Sequence, residues 1–211
     1  MRGRFITLEG GEGAGKSTQV GHLVTALRRA GIAVQRTREP GGSPGAEAIR
    51  RLLLDGEADR WDAISEAMLF YAGRHDHVIR LIEPALATGE WMICDRFTDS
   101  TVAYQGYGRG FGLADLAALQ RIALGTFVPD LTLILDISVD DGLARVGRRS
   151  MITDRFERLH HEFHERLRAG FLAIAAAEPA RCVVIDASGT VDDVHAAIAA
   201  VVGRRFGLDL G

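Results

Sequence analysis

The chain has 211 residues, of which 47% are hydrophobic and 25% are charged, and its formal net charge at pH 7 is -3. These proportions are typical of one globular domain and exclude intrinsic disorder as the main state. The slightly acidic balance disfavours a general nucleic-acid-binding protein, and from the apolar patterning we expect neither a membrane span nor a signal peptide. Cys94 and Cys182 lie in separate apolar runs and are predicted to be buried free thiols. We therefore expect a cytoplasmic protein without nucleic-acid or membrane partners.

Short apolar runs alternate with amphipathic stretches along the chain. Strands are predicted at residues 5–9, 33–37, 91–94, 131–136 and 182–185. Their nearly continuous apolar character is typical of strands that are buried on both faces of a parallel sheet. The alternation of strand and helix predicts an α/β fold, with five parallel strands and helices on both faces.

Helices are predicted between these strands from apolar residues that recur on one face. One such pattern is formed by Val20, Leu23, Val24 and Leu27, and a second by Leu159, Phe163, Leu167 and Phe171. Gly31 and Gly89 are expected to end helices in a left-handed conformation. Residues 38–45 and 147–154 lack core patterning and are interpreted as surface segments that could move.

A glycine-rich segment follows the first predicted strand and fits G-x-x-x-x-G-K-[ST] at residues 10–17. Glycines let backbone N–H groups surround phosphate oxygens, and the next helix adds the positive end of its dipole. A chance match in a flexible turn is the alternative, but the strand before and the helix after are the context of a phosphate loop. We predict that these residues bind a nucleoside triphosphate: Gly10, Gly11, Glu12, Gly13, Ala14, Gly15, Lys16, Ser17 and Thr18. Lys16 would contact the β- and γ-phosphates, and Ser17 would ligate Mg²⁺.

Asp95 and Arg96 end the third predicted strand, at the edge where α/β sheets bind ligands. Asp95 is predicted to hold Mg²⁺ through water, and Arg96 to clamp a phosphate with two hydrogen bonds. The alternative is an ordinary ion pair at a strand end. A GTPase is disfavoured because no N-K-x-D segment is present.

Five segments together resemble one known family, the thymidylate kinases of the nucleoside-monophosphate kinase superfamily. The resemblance extends from Phe5 to about Ala187, and the second and fourth segments are the most specific. The segments are LEGGEGAGKST at 8–18, TREPGG at 37–42, MLFYAGR at 68–74, DRFTDSTVAYQG at 95–106 and DRFE at 154–157.

The resemblance implies a role for each matching residue in a single kinase domain, with a substrate segment at about 38–75 and a short lid at about 145–156. Phe70 is expected to stack on thymine, although core packing is the alternative for this ring. Arg74 is expected to bind thymine O4, and Tyr104 to exclude a ribose 2′-hydroxyl. The base-edge candidates are Ser100, Thr101 and Gln105. The monophosphate clamps would be Arg38, Arg50 and Arg96, with Arg51 as the alternative to Arg50, and Glu12 and Glu39 would order the site.

Gly13 departs from those thymidylate kinases that carry an arginine at this position of the phosphate loop. Members without that arginine place basic residues in the lid, and Arg148 and Arg149 match this arrangement. We predict that they act as catalytic residues with Lys16 and Arg96, although a solvated basic loop is the alternative. A Gly13→Arg change is then expected to restore part of the rate to a chain without lid arginines.

The function implied by the resemblance is transfer of the ATP γ-phosphoryl group to dTMP, giving dTDP and ADP with Mg²⁺, in dTTP synthesis. A homodimer is expected from the family alone. Two alternatives stay open: a kinase for dUMP, UMP or AMP, and a nucleotide-dependent binding module without transfer.

Histidines outside these segments receive structural interpretations. Residues 75–77, His-Asp-His, are interpreted as a solvated turn or a turn at the substrate rim. His160 and His164 are interpreted as part of a polar helix face, because their surroundings do not match H-E-x-x-H.

Overall fold

A computed structural model describes residues 2–57, 60–149 and 160–210. Five parallel strands form one sheet in the order β2-β3-β1-β4-β5. The strands are β1 (Phe5–Gly10), β2 (Val34–Arg38), β3 (Trp91–Asp95), β4 (Leu131–Asp136) and β5 (Cys182–Asp186). The predicted fold class is confirmed, and each predicted strand ends within one residue of the observed one.

Helices cover both faces of this sheet. They are α1 (Lys16–Arg29), α2 (Pro44–Leu54), α3 (Ala63–His77), α4 (Glu83–Ala87), α5 (Thr98–Thr101), α6 (Leu113–Leu124), α7 (Val139–Arg149), α8 (His161–Ala177) and α9 (Val191–Phe206). Two π-helical segments, Val78–Ile82 and Val102–Gly108, continue α3 and α5. None of the helices within the described ranges is long and apolar enough to cross a membrane.

Alternate side chains of the central strand β1 belong to cores on opposite faces of the sheet. Ile6 and Leu8 pack with the apolar faces of α1 and α9, whereas Phe5 packs with the residues around α4 and with Phe97. The predicted apolar faces are buried in α1 at Val20, Leu23, Val24 and Leu27, and in α8 at Phe163, Leu167 and Phe171. Leu159 lies outside the described residues.

Local sequence signals set the ends of several helices. Gly31 and Gly89 follow α1 and α4 with φ of 78° and 89°, which confirms the predicted left-handed ends. Ser43 begins α2, because its hydroxyl accepts the Ala46 N–H and Pro44 fits the first turn.

The segment 38–45 is not the mobile surface loop that its composition suggested. Glu39, Gly41 and Ser43 are buried. The Ser43 hydroxyl also donates to Asp76 Oδ2 at 2.6 Å. The prediction was wrong because polar partners on α3, distant in sequence, fix this segment against the fold.

Candidate active site

The carboxyl ends of β1, β2 and β3 open into one cleft of about 390 Å³, within the usual range for small-molecule sites. Leu8 pairs with Asp95 across β1 and β3, which places the phosphate loop beside the Asp-Arg turn. Every residue that the resemblance implied for the substrate lines this cleft: Glu12, Arg38, Glu39, Arg50, Phe70, Arg74, Arg96, Ser100, Thr101, Tyr104 and Gln105. Lys16, Ser17, Thr18 and Asp95 line it as well.

The phosphate loop wraps around the side chain of its own lysine. The Lys16 Nζ donates to the carbonyl oxygens of Gly10 at 3.1 Å and Gly11 at 2.7 Å. Burial, with the positive charge of Arg96 beside it, lowers the pKa of Lys16 to about 8. Gly15 precedes α1 with φ of 88°, so the free N–H groups of the first helical turn face the cleft side of the loop. Phosphate oxygens bound here would favour the charged form of Lys16.

Arg96 occupies a strained backbone conformation, and a buried carboxylate holds the next residue in place. The φ of Arg96, 69°, is the only positive value at a non-glycine position in the described part of the chain, and such a backbone conformation costs about 1–3 kcal/mol. Glu9 Oε1 accepts the Phe97 N–H at 2.7 Å, and the Ser100 hydroxyl donates to Glu9 Oε2 at 2.5 Å. These bonds fix the turn that aims the Arg96 guanidinium into the cleft.

Glu9 should make folding stability depend on pH. Burial, with Asp99 nearby, raises the pKa of Glu9 from 4.5 to about 7, so the folded protein prefers the protonated form. The stability that Glu9 contributes is therefore complete below about pH 4.5 and declines as the pH rises to about 7, by up to about 3 kcal/mol. Denaturant unfolding of the parent and of Glu9→Gln across this range measures the effect as the difference between the two curves. If the free energy of unfolding depends on pH in the same way in the parent and in Glu9→Gln, the prediction is contradicted. Glu83→Gln, on the surface of α4, is the matched control and should follow the parent.

A second carboxylate, Glu12, joins the phosphate loop to the Asp-Arg turn. Glu12 Oε1 accepts from Arg96 Nη2 at 2.8 Å and from the Tyr104 hydroxyl. Burial opposes its ionisation, but Arg96, Lys16 and the Tyr104 hydrogen bond together lower the pKa of Glu12 to about 2. The Arg96 guanidinium lies 5.1 Å from the centre of the Tyr104 ring. Burial likewise opposes the charge of Arg96, yet Tyr104, Glu12 and Asp95 raise its pKa above the usual value.

Arg74 is held on the other wall of the cleft by a buried network. Its Nε donates to Glu39 Oε2 at 2.6 Å, and Nη2 donates to Phe97 O and Thr101 Oγ1 at 3.0 Å each. Its remaining nitrogen, Nη1, has no hydrogen-bond partner among the residues that the structure describes. Glu39 thus orders Arg74 and leaves one guanidinium donor for a ligand.

His77 completes this network, and sequence reasoning did not identify it. It is the last residue of α3 and fully buried, with Nδ1 3.0 Å from Glu39 Oε1 and Nε2 2.7 Å from Thr37 Oγ1. The interpretation of residues 75–77 as a solvated turn was therefore wrong. His164 is also buried, contrary to the predicted polar face. The i, i+3 spacing of Arg74 and His77 on one helix was the available signal.

Arg38 and Arg50 approach the cleft from β2 and α2. Arg38 Nη1 is paired with Glu47 Oε1 at 2.7 Å, which also accepts the Gly42 N–H at 2.9 Å. Arg50 is half-buried and donates to Pro40 O at 2.7 Å, whereas Arg51 is exposed. Of the two neighbouring arginines, Arg50 is the one that lines the cleft.

Ser17 and Asp95 fit the donor set of a magnesium ion. The Ser17 hydroxyl donates to Asp95 Oδ2 at 2.5 Å, so two oxygen ligands meet beside the phosphate loop. Hard divalent cations prefer such oxygens, and Mg²⁺ usually needs only one or two protein ligands besides phosphates and water.

The helix that leads into the predicted lid, α7, packs directly on the phosphate loop. A Cβ at Gly13, where φ is 70°, would lie 2.0 Å from Gly142 O in α7. This contact opposes the expectation that Gly13→Arg restores activity, because any side chain there must displace the α7 backbone. Arg145 donates to Ala187 O and Ser188 O at 3.0 Å each. Arg148 and Arg149 fall in the last turn of α7, and residues 150–159 lie outside the described residues.

The chain is similar in sequence to known proteins. A model of the family described as thymidylate kinase matches residues 8–198. Thymidylate kinase from Caulobacter vibrioides is 56% identical over 207 residues, which cover 98% of this chain and 99% of that protein. The corresponding protein from Rhizorhabdus wittichii is 53% identical, with 93% and 95% covered. The chain belongs to the thymidylate kinase family.

A solved structure agrees with this assignment. The crystal structure of thymidylate kinase from Ehrlichia chaffeensis matches with a TM-score of 0.77 at 34% identity, covering 96% of this chain and 100% of that one. Membership of the thymidylate kinase family confirms the predicted P-loop fold and enzyme class. The chain is an ATP-dependent nucleoside-monophosphate kinase, which sets aside a binding module without transfer.

Proposed function

We propose that the cleft transfers the γ-phosphoryl group of ATP to dTMP, forming dTDP and ADP in the synthesis of dTTP. The observation that carries this proposal is the pairing of two half-sites in one cleft. A complete phosphate loop faces a second wall on which the half-buried Phe70 ring lies beside the unpartnered Nη1 of Arg74. The flat ring suits a stacked base, and the guanidinium suits a carbonyl oxygen such as thymine O4. Family membership supports the same substrate.

The monophosphate lies between these half-sites in the proposal, bound by Arg38, Arg50 and Arg96. Glu12 and Glu39 order Arg96 and Arg74, as their hydrogen bonds indicate. Ser100, Thr101 and Gln105 lie along the base edge, and the Tyr104 ring occupies the space beside the sugar 2′ position. Tyr104 is fixed by its bond to Glu12 and by an edge contact with Phe163, which supports a steric role.

In this proposal residues 10–18 bind ATP, and Ser17 and Asp95 hold Mg²⁺. When bound, Mg²⁺ supplies charge neutralisation on the phosphate oxygens. The protein residues supply position and further positive charge: Lys16 at the β- and γ-phosphates, and Arg96 between donor and acceptor. No strong general base is needed, because the attacking oxygen of the monophosphate is already an anion.

The domain organisation is also part of the proposal. The whole chain forms one kinase domain, with a substrate segment at about 38–75 and a lid at about 145–156. Arg148 and Arg149 act from the lid on the transferring phosphoryl group. Support comes from Gly142, whose contact with Gly13 seats the base of α7 on the phosphate loop. A cytoplasmic location is proposed because ATP, the co-substrate, is supplied there.

Turnover of a panel of monophosphates tests the proposed reaction. ADP release should be fastest with dTMP, and slower with dUMP, UMP, AMP and 5-methyluridine monophosphate. A 5-methyluridine monophosphate rate equal to that of dTMP would remove the role of Tyr104. Equal or faster turnover of UMP or AMP would overturn dTMP as the substrate.

We further propose a homodimer formed through α3 and α6. These helices pack side by side through Ala67, Tyr71 and Leu116. Their outer surfaces expose large apolar side chains, with Ile122 82% exposed. The others are Ile64, Met68 and Leu113. Apolar residues gathered on two neighbouring helices are typical of a protein interface.

Introducing a charge on this surface should separate the subunits. The parent is expected to sediment as a dimer, and Ile122→Glu as a monomer, because an unpaired carboxylate would be buried at the interface. Analytical ultracentrifugation measures both. Val191→Glu, at an exposed apolar position of α9, should sediment like the parent. A dimeric Ile122→Glu, or a monomeric parent, would contradict the proposal.

A further inference from the structure

Glu66 is a fully buried carboxylate beneath the proposed base pocket, and neither the resemblance nor the mechanism gives it a role. It lies on α3 with Phe70 and Arg74 at i+4 and i+8, so all three side chains share one face of the helix. A carboxylate without a structural partner is costly to bury. The residues that pair with Glu66 therefore show how its charge is balanced and which groups of the pocket it orients.

Two side chains from the end of the second π-helical segment meet Glu66. Gln105 Nε2 donates to Glu66 Oε1 at 2.8 Å, and Arg109 Nε lies 3.3 Å from the same oxygen. The Arg109 guanidinium therefore balances the buried negative charge. An ionised carboxylate offers acceptors only, so it must receive the amide NH₂ of Gln105 and not its carbonyl.

This constraint leaves the carbonyl oxygen of Gln105 as the free end of the amide. Gln105 lines the cleft, and its buried Oε1 has no hydrogen-bond partner among the residues described. Arg74 Nη1 is the corresponding unpartnered donor in the same pocket. In the described part of the chain, the wall of the pocket thus contains one unpartnered acceptor and one unpartnered donor, both buried. Buried polar groups of this kind are normally satisfied, so each points to a ligand atom.

The acceptor and the donor match one class of pyrimidine. Thymine and uracil present N3–H and O4, which pair with Gln105 Oε1 and Arg74 Nη1. Cytosine presents an unprotonated N3 and an amino group, and both would face groups of their own kind. We propose that Glu66, neutralised by Arg109, is a positioning residue that fixes the orientation of the Gln105 amide and thereby sets the preference for thymine over cytosine. This inference rests on the proposed function, because it concerns the base pocket of that site.

The test compares dTMP with 5-methyl-2′-deoxycytidine monophosphate, which keeps the methyl group and the sugar and changes only the pairing edge. In Glu66→Gln, the facing amide can donate or accept, so Gln105 can turn either end to the base. The ratio of kcat/KM for dTMP to that for the cytosine analogue should fall about tenfold or more, since one correctly paired hydrogen bond contributes about that much. The change should appear mainly in KM for dTMP and less in kcat, because base pairing is equal in the ground and transition states.

Three further variants separate orientation from structure. Glu66→Asp keeps an acceptor-only group and should keep the ratio near that of the parent. Glu66→Gln/Arg109→Met removes both charges and so leaves no unpaired buried cation. Its ratio of kcat/KM for dTMP to that for the cytosine analogue should fall as it does in Glu66→Gln. Glu178→Gln, beside Arg181 outside the cleft, is the matched control and should change neither rate nor ratio.

The outcomes distinguish this inference from the proposed function. A parent that turns over dTMP, with an unchanged ratio in either folded Glu66→Gln variant, overturns the positioning role alone. A loss of rate with both substrates in equal proportion also overturns it, because that result indicates a structural role only. A parent without dTMP turnover overturns the proposed function and this inference together.

Discussion

Lys16→Met should lower kcat by about 10³-fold or more and leave the fold intact. The methionine fills the space of the lysine stem, so the buried position stays packed, but the charge beside the transferring phosphoryl group is lost. Among the residues that the structure describes, the amine donates to the carbonyls of Gly10 and Gly11, contacts that a nucleotide would replace. Steady-state kinetics with dTMP, together with circular dichroism, measures both expectations.

The control for this variant is Arg29→Met, which removes a cation from the exposed end of the same helix. It should keep the parent kcat. A folded Lys16→Met protein with kcat within about tenfold of the parent, a barrier change of about 1.4 kcal/mol, would contradict the phosphate-loop assignment.

Replacing both lid arginines, Arg148→Ala/Arg149→Ala, should lower kcat by about 10²-fold or more, since an arginine that meets transition-state charge in phosphoryl transfer contributes about 10³- to 10⁵-fold. Two structural features make a large effect expected. No arginine can enter from Gly13 without displacing α7, and Arg145 is engaged with the carbonyls of Ala187 and Ser188. KM for dTMP should change little, because the proposed lid acts on ATP and not on the base pocket.

A matched double variant exists at the end of α9. Arg204→Ala/Arg205→Ala likewise removes two consecutive arginines from the last turn of a helix, both of them exposed, and should leave kcat unchanged. If the lid variant keeps kcat within about threefold of the parent, well under 1 kcal/mol in the barrier, another group must meet the charge.

The strands and the phosphate loop could be predicted because their signals are local in the sequence. A strand buried on both faces of a parallel sheet needs a nearly continuous apolar run, and β1 and β4 have one each. The phosphate loop needs glycines, a lysine and a hydroxyl at fixed spacing, since the backbone itself forms the site. The residues of the substrate wall were placed by resemblance, because Phe70 alone is indistinguishable from a core aromatic.

The parts that sequence reasoning missed depend on contacts between distant residues. His77 is buried only because Glu39 and Thr37, some forty positions earlier, accept or donate on both sides of its ring. The burial of Glu66 is similarly explained by contacts with Gln105 and Arg109, which are distant in sequence. The identity of a polar residue does not show whether it is buried or exposed, so its burial cannot be inferred until its partners are located.

The reactivity of the two buried thiols can be used to measure local unfolding of the sheet. Cys94 is fully buried in the interior strand β3, and burial raises its pKa well above the usual value. Cys182 lies in the edge strand β5, and burial raises its pKa to about 12. Neither thiol reacts readily while its strand stays paired, since the thiolate is the reactive form. Modification of Cys182 therefore measures detachment of the sheet edge, and modification of Cys94 measures disruption of an interior strand, which are openings of different free energy.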